Sequence, residues 1–279
     1  MATLPAAGQG ELLFIGTATT LLRYGGLTLL TDPNFLRRGQ RAYLGYGLTT
    51  RRLTEPAMRL DELPELDAVV LSHLHGDHFD RVASRGLDRD LAILTTPAGA
   101  RRLQLRRFSR AVGLRTWTGQ TLHRDGRTLR VTALPGMHAK GALRALLPPV
   151  MGTLLDFLDA AGRVEYRIYV SGDTLMFDGV HTIAERYPDI DLLVVHLGGT
   201  TLPGGRVVTM DGEQGVRFLR AVAPRRVAPV HYDDYDRFRS PLEDFQRRAE
   251  AAGLEGICSY LRRGETLALT PRRQQGPEA

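Results

Sequence analysis

The chain has 279 residues, 43% of them apolar, 24% charged and 7% aromatic, which excludes disordered, collagen-like and coiled-coil chains. Basic residues outnumber acidic ones 37 to 31, a formal charge of +6, and every basic residue except Lys140 is arginine. The single cysteine, Cys258, excludes an intrachain disulfide and a zinc site built from several thiolates.

The first ten residues carry no basic and apolar leader pattern and are expected to be an N-terminal extension. Short apolar runs at 11–15, 20–24 and 27–31 predict strands, with Gly25-Gly26 as the turn between the last two. A loop rich in Arg, Gly and Tyr is expected from about Pro33 to Glu62. Residues 67–72 (Asp-Ala-Val-Val-Leu-Ser) have a buried-strand pattern. A helix is predicted over 97–110, with Pro97 in its first turn, Ala98, Leu105 and Phe108 on one apolar stripe, and Arg101, Arg102 and Arg106 in solvent. Strands follow at 112–116, 121–123, 128–133, 150–157 and 166–170, a helix at 179–187 and a buried strand at 192–195. Asp211 is placed to cap a helix running through Val222, with Pro224 beyond its end. A strand at 226–230, a helix at 241–252 and a polar tail at 271–279 complete the inventory. Cys258 reads as a small buried residue in a strand. With no linker-like segment, residues 11–270 are expected to form one domain. No apolar run approaches the ~18–20 residues of a membrane span, so the expectation is a soluble, cytoplasmic protein.

His73, His75, Asp77 and His78 spell H-L-H-G-D-H directly after a predicted strand. Neutral imidazoles and a carboxylate suit zinc, iron or manganese. On an extended strand exit His73 and His75 point to the same side, and Gly76 allows a sharp turn that brings Asp77 and His78 to a second position. One short segment can then serve two adjacent metals. Three strand-end residues offer further ligands: His138 in L-P-G-M-H, Asp173 in V-S-G-D-T and His231 in A-P-V-H-Y.

This order resembles the metallo-β-lactamase superfamily. Phe14-Ile15-Gly16-Thr17-Ala18-Thr19, followed by Leu30-Thr31-Asp32-Pro33-Asn34-Phe35, is similar to a branch containing L-ascorbate-6-phosphate lactonases and the N-acylphosphatidylethanolamine-hydrolysing phospholipase D. The resemblance spans about residues 11–245 in spaced segments. It implies an α+β fold, a four-layer αββα sandwich of two mixed β-sheets flanked by helices. It implies that His73, His75 and His138 hold one metal, that Asp77, His78 and His231 hold the second, and that Asp173 bridges them. Two divalent ions are implied, with Zn2+ ahead of Mn2+ or Fe2+, and a bridging hydroxide as the nucleophile for a phosphodiester, ester or lactone bond. Asp77 is accordingly placed among the catalytic residues. The chain departs from many branch members at Thr17, where they carry His, and at His196, where they carry Pro.

His196 is a candidate proton donor or substrate contact, or else a residue that orients a ligand. Asp32 is a candidate to position the histidine loop, or else a plain turn residue, and Asp233 or Asp234 to orient a ligand histidine, or else to lie in a solvated acidic loop. Tyr43, Tyr46 and Arg41, in a loop with Arg37, Arg38, Arg51 and Arg52, are candidates to wall the site and read an anionic substrate. The stretch Leu143–Val150, with Leu146, Leu147, Pro148 and Pro149, is a candidate apolar rim for a lipid or other bulky substrate, or else plain core. His123 and His181 read as surface residues. The expected substrate is a small or lipid-like molecule. A nuclease on the same fold is the alternative that the basic charge raises. Against it, the arginine pairs are scattered without interleaved aromatics and no nucleic-acid-binding arm is visible, so no nucleic-acid partner is expected. A homo-oligomer is compatible with the sequence.

Overall fold

A computed structural model describes residues 10–271. The expected N-terminal extension and C-terminal tail lie outside the described residues, apart from Gly10 and Pro271. The first sheet draws on β1 (Gly10–Gly16), β2 (Thr19–Tyr24), β3 (Leu27–Thr31), β6 (Ala68–Val70), β7 (Ala92–Thr95), β8 (Ala111–Gly113) and β17 (Thr266–Leu269). Its order is β17-β1-β2-β3-β6-β7-β8. The part up to β3 is antiparallel, and β3, β6, β7 and β8 are parallel. The second sheet draws on β9 (Gly119–Arg124), β10 (Arg127–Pro135), β11 (Met151–Leu158), β12 (Val164–Val170), β13 (Leu192–His196) and β16 (Val227–Val230). Its order is β16-β13-β12-β11-β10-β9, parallel from β16 to β12 and antiparallel beyond.

Side-chain alternation sorts the first sheet's residues between two cores. Leu12, Phe14, Leu22, Leu29, Val70 and Leu94 face the second sheet, in one core with Val131, Leu155, Phe157 and Ile168. Their neighbours Ile15, Leu21, Leu30, Val69 and Ile93 face the other way, onto Ala83 and Leu87 near α1 (Arg81–Gly86) and Ala100 and Leu103 of α2 (Pro97–Leu105). Across the second sheet lie α4 (Gly179–Arg186), α5 (Gly212–Val222) and α6 (Leu242–Ala251), whose Ile183, Phe218, Leu219 and Phe245 join the larger core. The result is the expected four-layer αββα sandwich of two mixed sheets. Because strands such as β3 and β6 are buried on both faces, they read as continuous apolar runs.

Several expectations need correction. The helix predicted to reach Arg110 ends at Leu105, because Arg107 adopts a left-handed φ of 69° and turns the chain back. Leu105 is 86% exposed, and the buried face is Gly99, Ala100 and Leu103; Phe108 enters the core from beyond the helix. The segment expected as a loop from Pro33 to Glu62 contains the hairpin β4 (Arg41–Gly45) and β5 (Leu48–Arg51). Cys258 is half-buried after a 3-10 turn, touching the sheet through one bridge to Val227. Helices α1 and α3 (Leu143–Leu146), strands β7 and β17, and the hairpin of β14 (Thr201–Leu202) and β15 (Arg206–Val207) are absent from the predicted inventory. Most of them are too short to show a period. Among the described residues no helix is long and apolar enough to cross a membrane.

Strand direction positions the site. β10 and β12 run the same way because both are antiparallel to β11, and β13 and β16 are parallel to β12. Their C-terminal ends therefore open on one edge. β3 and β6, mutually parallel, deliver their C-terminal ends to the same place from the other sheet. Leu155 and Ile168 lie fully buried in the core that holds the two sheets together. Leu155→Ala is expected to cost about 2–5 kcal/mol, read as a lower denaturation midpoint in urea with an unchanged slope.

Candidate metal centre

Each donor follows a strand end. His73, His75, Asp77 and His78 lie in the turn after β6, His138 follows β10, Asp173 follows β12, and His231 follows β16. The structure brings all seven together. Their donor atoms form two groups, each lying within 4.8 Å of one another: His73, His75 and His138 in one, and Asp77, His78, Asp173 and His231 in the other. All seven residues are buried.

The outer nitrogens of four histidines are tied to the fold, which leaves the inner ones facing the groups. His138 Nδ1 donates to the Val208 carbonyl at 2.9 Å, and His231 Nδ1 to the Leu197 carbonyl at 3.2 Å. A carbonyl accepts only from N–H, so each contact fixes Nε2 as the free acceptor. His73 Nδ1 lies 3.0 Å from Ser72 Oγ, which donates on to Asp32. His78 Nδ1 lies 3.2 Å from Asp32 Oδ2. This is the usual support for metal-bound imidazoles.

The inner atoms make a poor hydrogen-bonding set and a good ligand set. His73 Nε2 and His138 Nε2 lie 2.9 and 3.2 Å from His75 Nδ1. Tetrahedral zinc–nitrogen bonds of about 2.0–2.1 Å hold their nitrogens about 3.3 Å apart. Asp77 Oδ1 and His231 Nε2 are buried without a hydrogen-bond partner among the described residues. Orphaned buried acceptors cost about 1–3 kcal/mol each unless something coordinates them. The donors therefore fit divalent cations.

Charge follows the same division. Burial, and then the neighbouring histidines, hold His73 far below the ordinary histidine range, and the same causes bring His75 to about 3. Burial likewise lowers His138. All three are neutral imidazoles, the ligand form. In the second group burial would neutralise Asp173, but His231 and His78 outweigh it and keep the carboxylate ionised. Burial would also lower His78 and His231; Asp173, with Asp32 beside His78 and Asp77 beside His231, raises both instead.

Glycines and strained residues make the close approach feasible. The chain turns after His75, with the His78 and Phe79 N–H groups donating to its carbonyl. Gly76 is needed there less for the turn than for space: a Cβ would lie 2.7 Å from Tyr43 N, where β4 crosses the loop. Gly172 has φ of 63°, and a Cβ there would lie 2.7 Å from Met151 O. Thr17, Asp32 and His231 hold left-handed backbone (φ 53°, 36° and 63°) without being glycine. Such strain clusters where surrounding structure over-determines a site.

Other candidates fall in different places. His196 is fully buried, with Nδ1 3.3 Å from Asp173 Oδ1. It packs against that carboxylate and is not among the residues lining the cavity over the donors; with Asp32 and His78 it forms a third donor group. Asp233 pairs with Arg263 at the surface and touches no histidine. Its neighbour Asp234 is the buried one: it accepts Thr17 N–H at 2.7 Å, and the Thr17 carbonyl accepts His231 N–H at 2.7 Å. Of the loop candidates, Tyr46 lines the cavity over the donors. Tyr43 and Arg41 do not; Tyr43 is 58% exposed, and the Arg41 guanidinium reaches back to Thr49. None of the five loop arginines lines that cavity, and Arg52 is fully buried beside Asp234 and Asn34. His123 and His181 are exposed. Sequence reasoning missed three supports. Ser72 links Asp32 to His73, and Asp80 caps α1 while accepting the Phe35 and Leu36 N–H groups. Thr209 donates to Asp173 Oδ2 at 3.2 Å. Ser72 adjoins the motif and was within reach of a strand-end reading; Thr209 arrives from a distant hairpin and left no signal.

The Beta-lactamase superfamily domain model matches residues 28–232. The chain belongs to this superfamily. A UPF0173 metal-dependent hydrolase of Thermus thermophilus is 27% identical over 261 residues, covering 93% of this chain and 99% of the relative. Among solved structures, an isothiocyanate hydrolase from Delia radicum gut bacteria superposes with a TM-score of 0.78 at 21% identity, covering 93% of this chain and 99% of that one. A metallo hydrolase of the archaeon Ignicoccus hospitalis superposes with a TM-score of 0.68 at 19% identity, covering 94% and 98%. Both share this sandwich fold.

Asp234 ties the hairpin β4–β5 to the His231 loop through Arg52, Thr54 and Arg263. Burial pushes its carboxyl up, but Arg263 and Arg52 outweigh that and hold it below the ordinary range. The stability it contributes is thus full above its unfolded value near ~4 and is lost as pH falls through the lower folded value. Thermal unfolding from pH 7 to pH 3 should show a smaller acid loss in Asp234→Asn than in the parent. Arg52→Met, which removes one of the two guanidinium partners of the buried carboxylate and leaves Arg263 in place, should cost about 1–3 kcal/mol at pH 7 by urea unfolding.

Proposed function

We propose that the two donor groups form a binuclear centre that hydrolyses an ester, lactone or phosphodiester bond of a small or lipid-like substrate. The chain is a metal-dependent hydrolase of the metallo-β-lactamase fold, as its family and its relatives have it. The finer reading rests on one observation: seven buried donors in two adjoining groups, four of the histidines tied to the fold through their outer nitrogens, and the inner atoms Asp77 Oδ1, His78 Nε2 and His231 Nε2 left without a hydrogen-bond partner among the described residues. Divalent ions held there, zinc being the best fit to three imidazoles, would supply an activated water near neutral pH and Lewis acidity at the attacked group.

The residues divide the work. His73, His75 and His138 would hold one ion as neutral ligands. Asp77, His78, Asp173 and His231 would hold a second. Asp77 also lines the cavity floor with His75, His138 and Asp173, beside the bond to be cleaved. Asp32 keeps His78 and, through Ser72, His73 in place. His196 is a positioning residue that steadies Asp173 from behind. Water's oxygen bonds the acyl carbon or phosphorus, the bond to the leaving oxygen breaks, and that oxygen takes the proton. No serine or cysteine nucleophile is required.

Metal analysis of the purified protein, paired with a hydrolysis panel, tests this directly. About two ions per chain and activity lost on chelation and restored by Zn2+ or Mn2+ are expected; full activity in metal-stripped protein overturns it. Asp77→Ala should abolish turnover while far-UV circular dichroism stays that of the parent. Asp32→Asn and His196→Asn should each lower metal affinity or activity about 10–100-fold, with chelator competition separating the two effects.

A further inference from the structure

The cavity over the donor groups has a volume of about 520 Å³. Its floor is polar, formed by His75, Asp77, His138 and Asp173. Its walls come from three segments separate in sequence. Hairpin β4–β5 contributes Leu44, Tyr46 and Leu48. Helix α3 and the residue after it contribute Leu143, Leu146 and Leu147. Hairpin β14–β15 contributes Leu202 and Pro203, with Val208 just beyond. Above the floor, Arg206 is the only charged lining residue among the described residues.

This apolar lining is particular to that cavity. A neighbouring cavity beside α5 is lined by Lys140, Arg144, Asp178, Glu213 and Arg217, and another, against α1, by Arg37, Glu55, Arg59 and Asp61 among others. In a chain that is 24% charged, the leucines gather where the donors open. Tyr46 and Leu146, on opposing walls, remain 73% and 54% exposed, large apolar groups held in water beside the opening. A sugar phosphate or nucleotide seated there would lose hydration along the leucine walls, with Thr200 and Arg206 as its side-chain polar partners above the floor among the described residues. An aliphatic chain would gain from every methylene it buries.

We propose that the substrate is an ester or lactone with a medium-length aliphatic acyl chain. The chain lies between α3 and the two hairpins while its carbonyl sits on the polar floor. This rests on the hydrolase reading above and narrows it. The step is the one already written for an acyl carbon: water's oxygen bonds the carbonyl carbon, the acyl C–O bond breaks, and the departing oxygen takes the proton, giving a carboxylic acid and a hydroxyl group.

The test uses the metal-loaded full chain with p-nitrophenyl acetate, butyrate, hexanoate and octanoate, and with bis(p-nitrophenyl) phosphate. kcat/KM is expected to rise by up to about fourfold per methylene, the rate equivalent of about 0.8 kcal/mol. Octanoate should inhibit more tightly than acetate, with a negative heat-capacity change in calorimetry. Leu202→Glu, and independently Leu146→Glu, should lower the octanoate-to-acetate ratio of kcat/KM at least tenfold. A flat chain-length series, or a ratio unmoved in both variants, overturns this inference and leaves the hydrolase reading standing. Turnover of the phosphodiester alone does the same. Hydrolysis of nothing in the panel by protein holding two ions would tell against the hydrolase reading itself. Octanoate binding no tighter than acetate in that case overturns the acyl pocket as well.

Discussion

Seven buried imidazole and carboxylate side chains meet at one edge of the molecule with their free atoms facing each other, and most of the surrounding structure exists to hold them there. The three inner nitrogens of His73, His75 and His138, 2.9 and 3.2 Å apart, can share at most one proton of a neutral His75 between them, whereas a cation would satisfy all three. Burial raises the cost, because no bulk water is available to the orphaned atoms of Asp77 and His231. A fold that collapses for its hydrophobic core alone would not choose this arrangement. The supports show how it is imposed. The carbonyls of Val208 and Leu197 and the carboxylate of Asp32 fix the outer nitrogens, so the inner ones have a single direction left.

The sandwich supplies the convergence. Parallel and same-direction strands put their C-terminal ends on one edge, and two such sets, one per sheet, face each other there. Each set contributes residues that cannot reach the other without the intersheet core. That core, with Leu29, Val70, Val131 and Ile168 among its members, is the reason a motif near residue 75 meets a histidine at 231. The strained backbone at Thr17, Asp32 and His231 is held against its preference by the same framework. The Asp234 network performs that service for the His231 loop and the β4–β5 hairpin together. The site and one wall of its cavity are thus mechanically linked.

Much of this was legible in the sequence for a plain reason. Metal chemistry demands particular residue types, and a strand exit with period-two spacing puts His73 and His75 on one side whatever the rest of the chain does. The strand-end settings of His138, Asp173 and His231 carried the same signal. The supports were harder to read. Asp234 and Asp233 are adjacent, identical in type and opposite in environment; the choice between them depends on where Arg52, Thr54 and Arg263 arrive. Helix α2 was overrun because Phe108 continues its apolar spacing, while the left-handed turn at Arg107 delivers that ring to the core by another route.

The arginine-rich segment between Pro33 and Glu62 shows the limit most clearly. Its composition suggests an anion-reading loop, yet it folds as a hairpin that turns its arginines away from the cavity and offers leucines and a tyrosine instead. Alternation along β4 and β5 decides which side chains face in, and register against neighbouring segments decides which face is in. The sequence by itself determined the donor types and their local spacing, because these follow from coordination chemistry, and the layered fold followed from the resemblance those motifs carry. Only the tertiary structure decided which carboxylate serves the His231 loop, that His196 packs against Asp173, and that the cavity over the donors is walled by leucine. Those outcomes depend on contacts between residues tens to hundreds of positions apart, and no local pattern encodes such a contact.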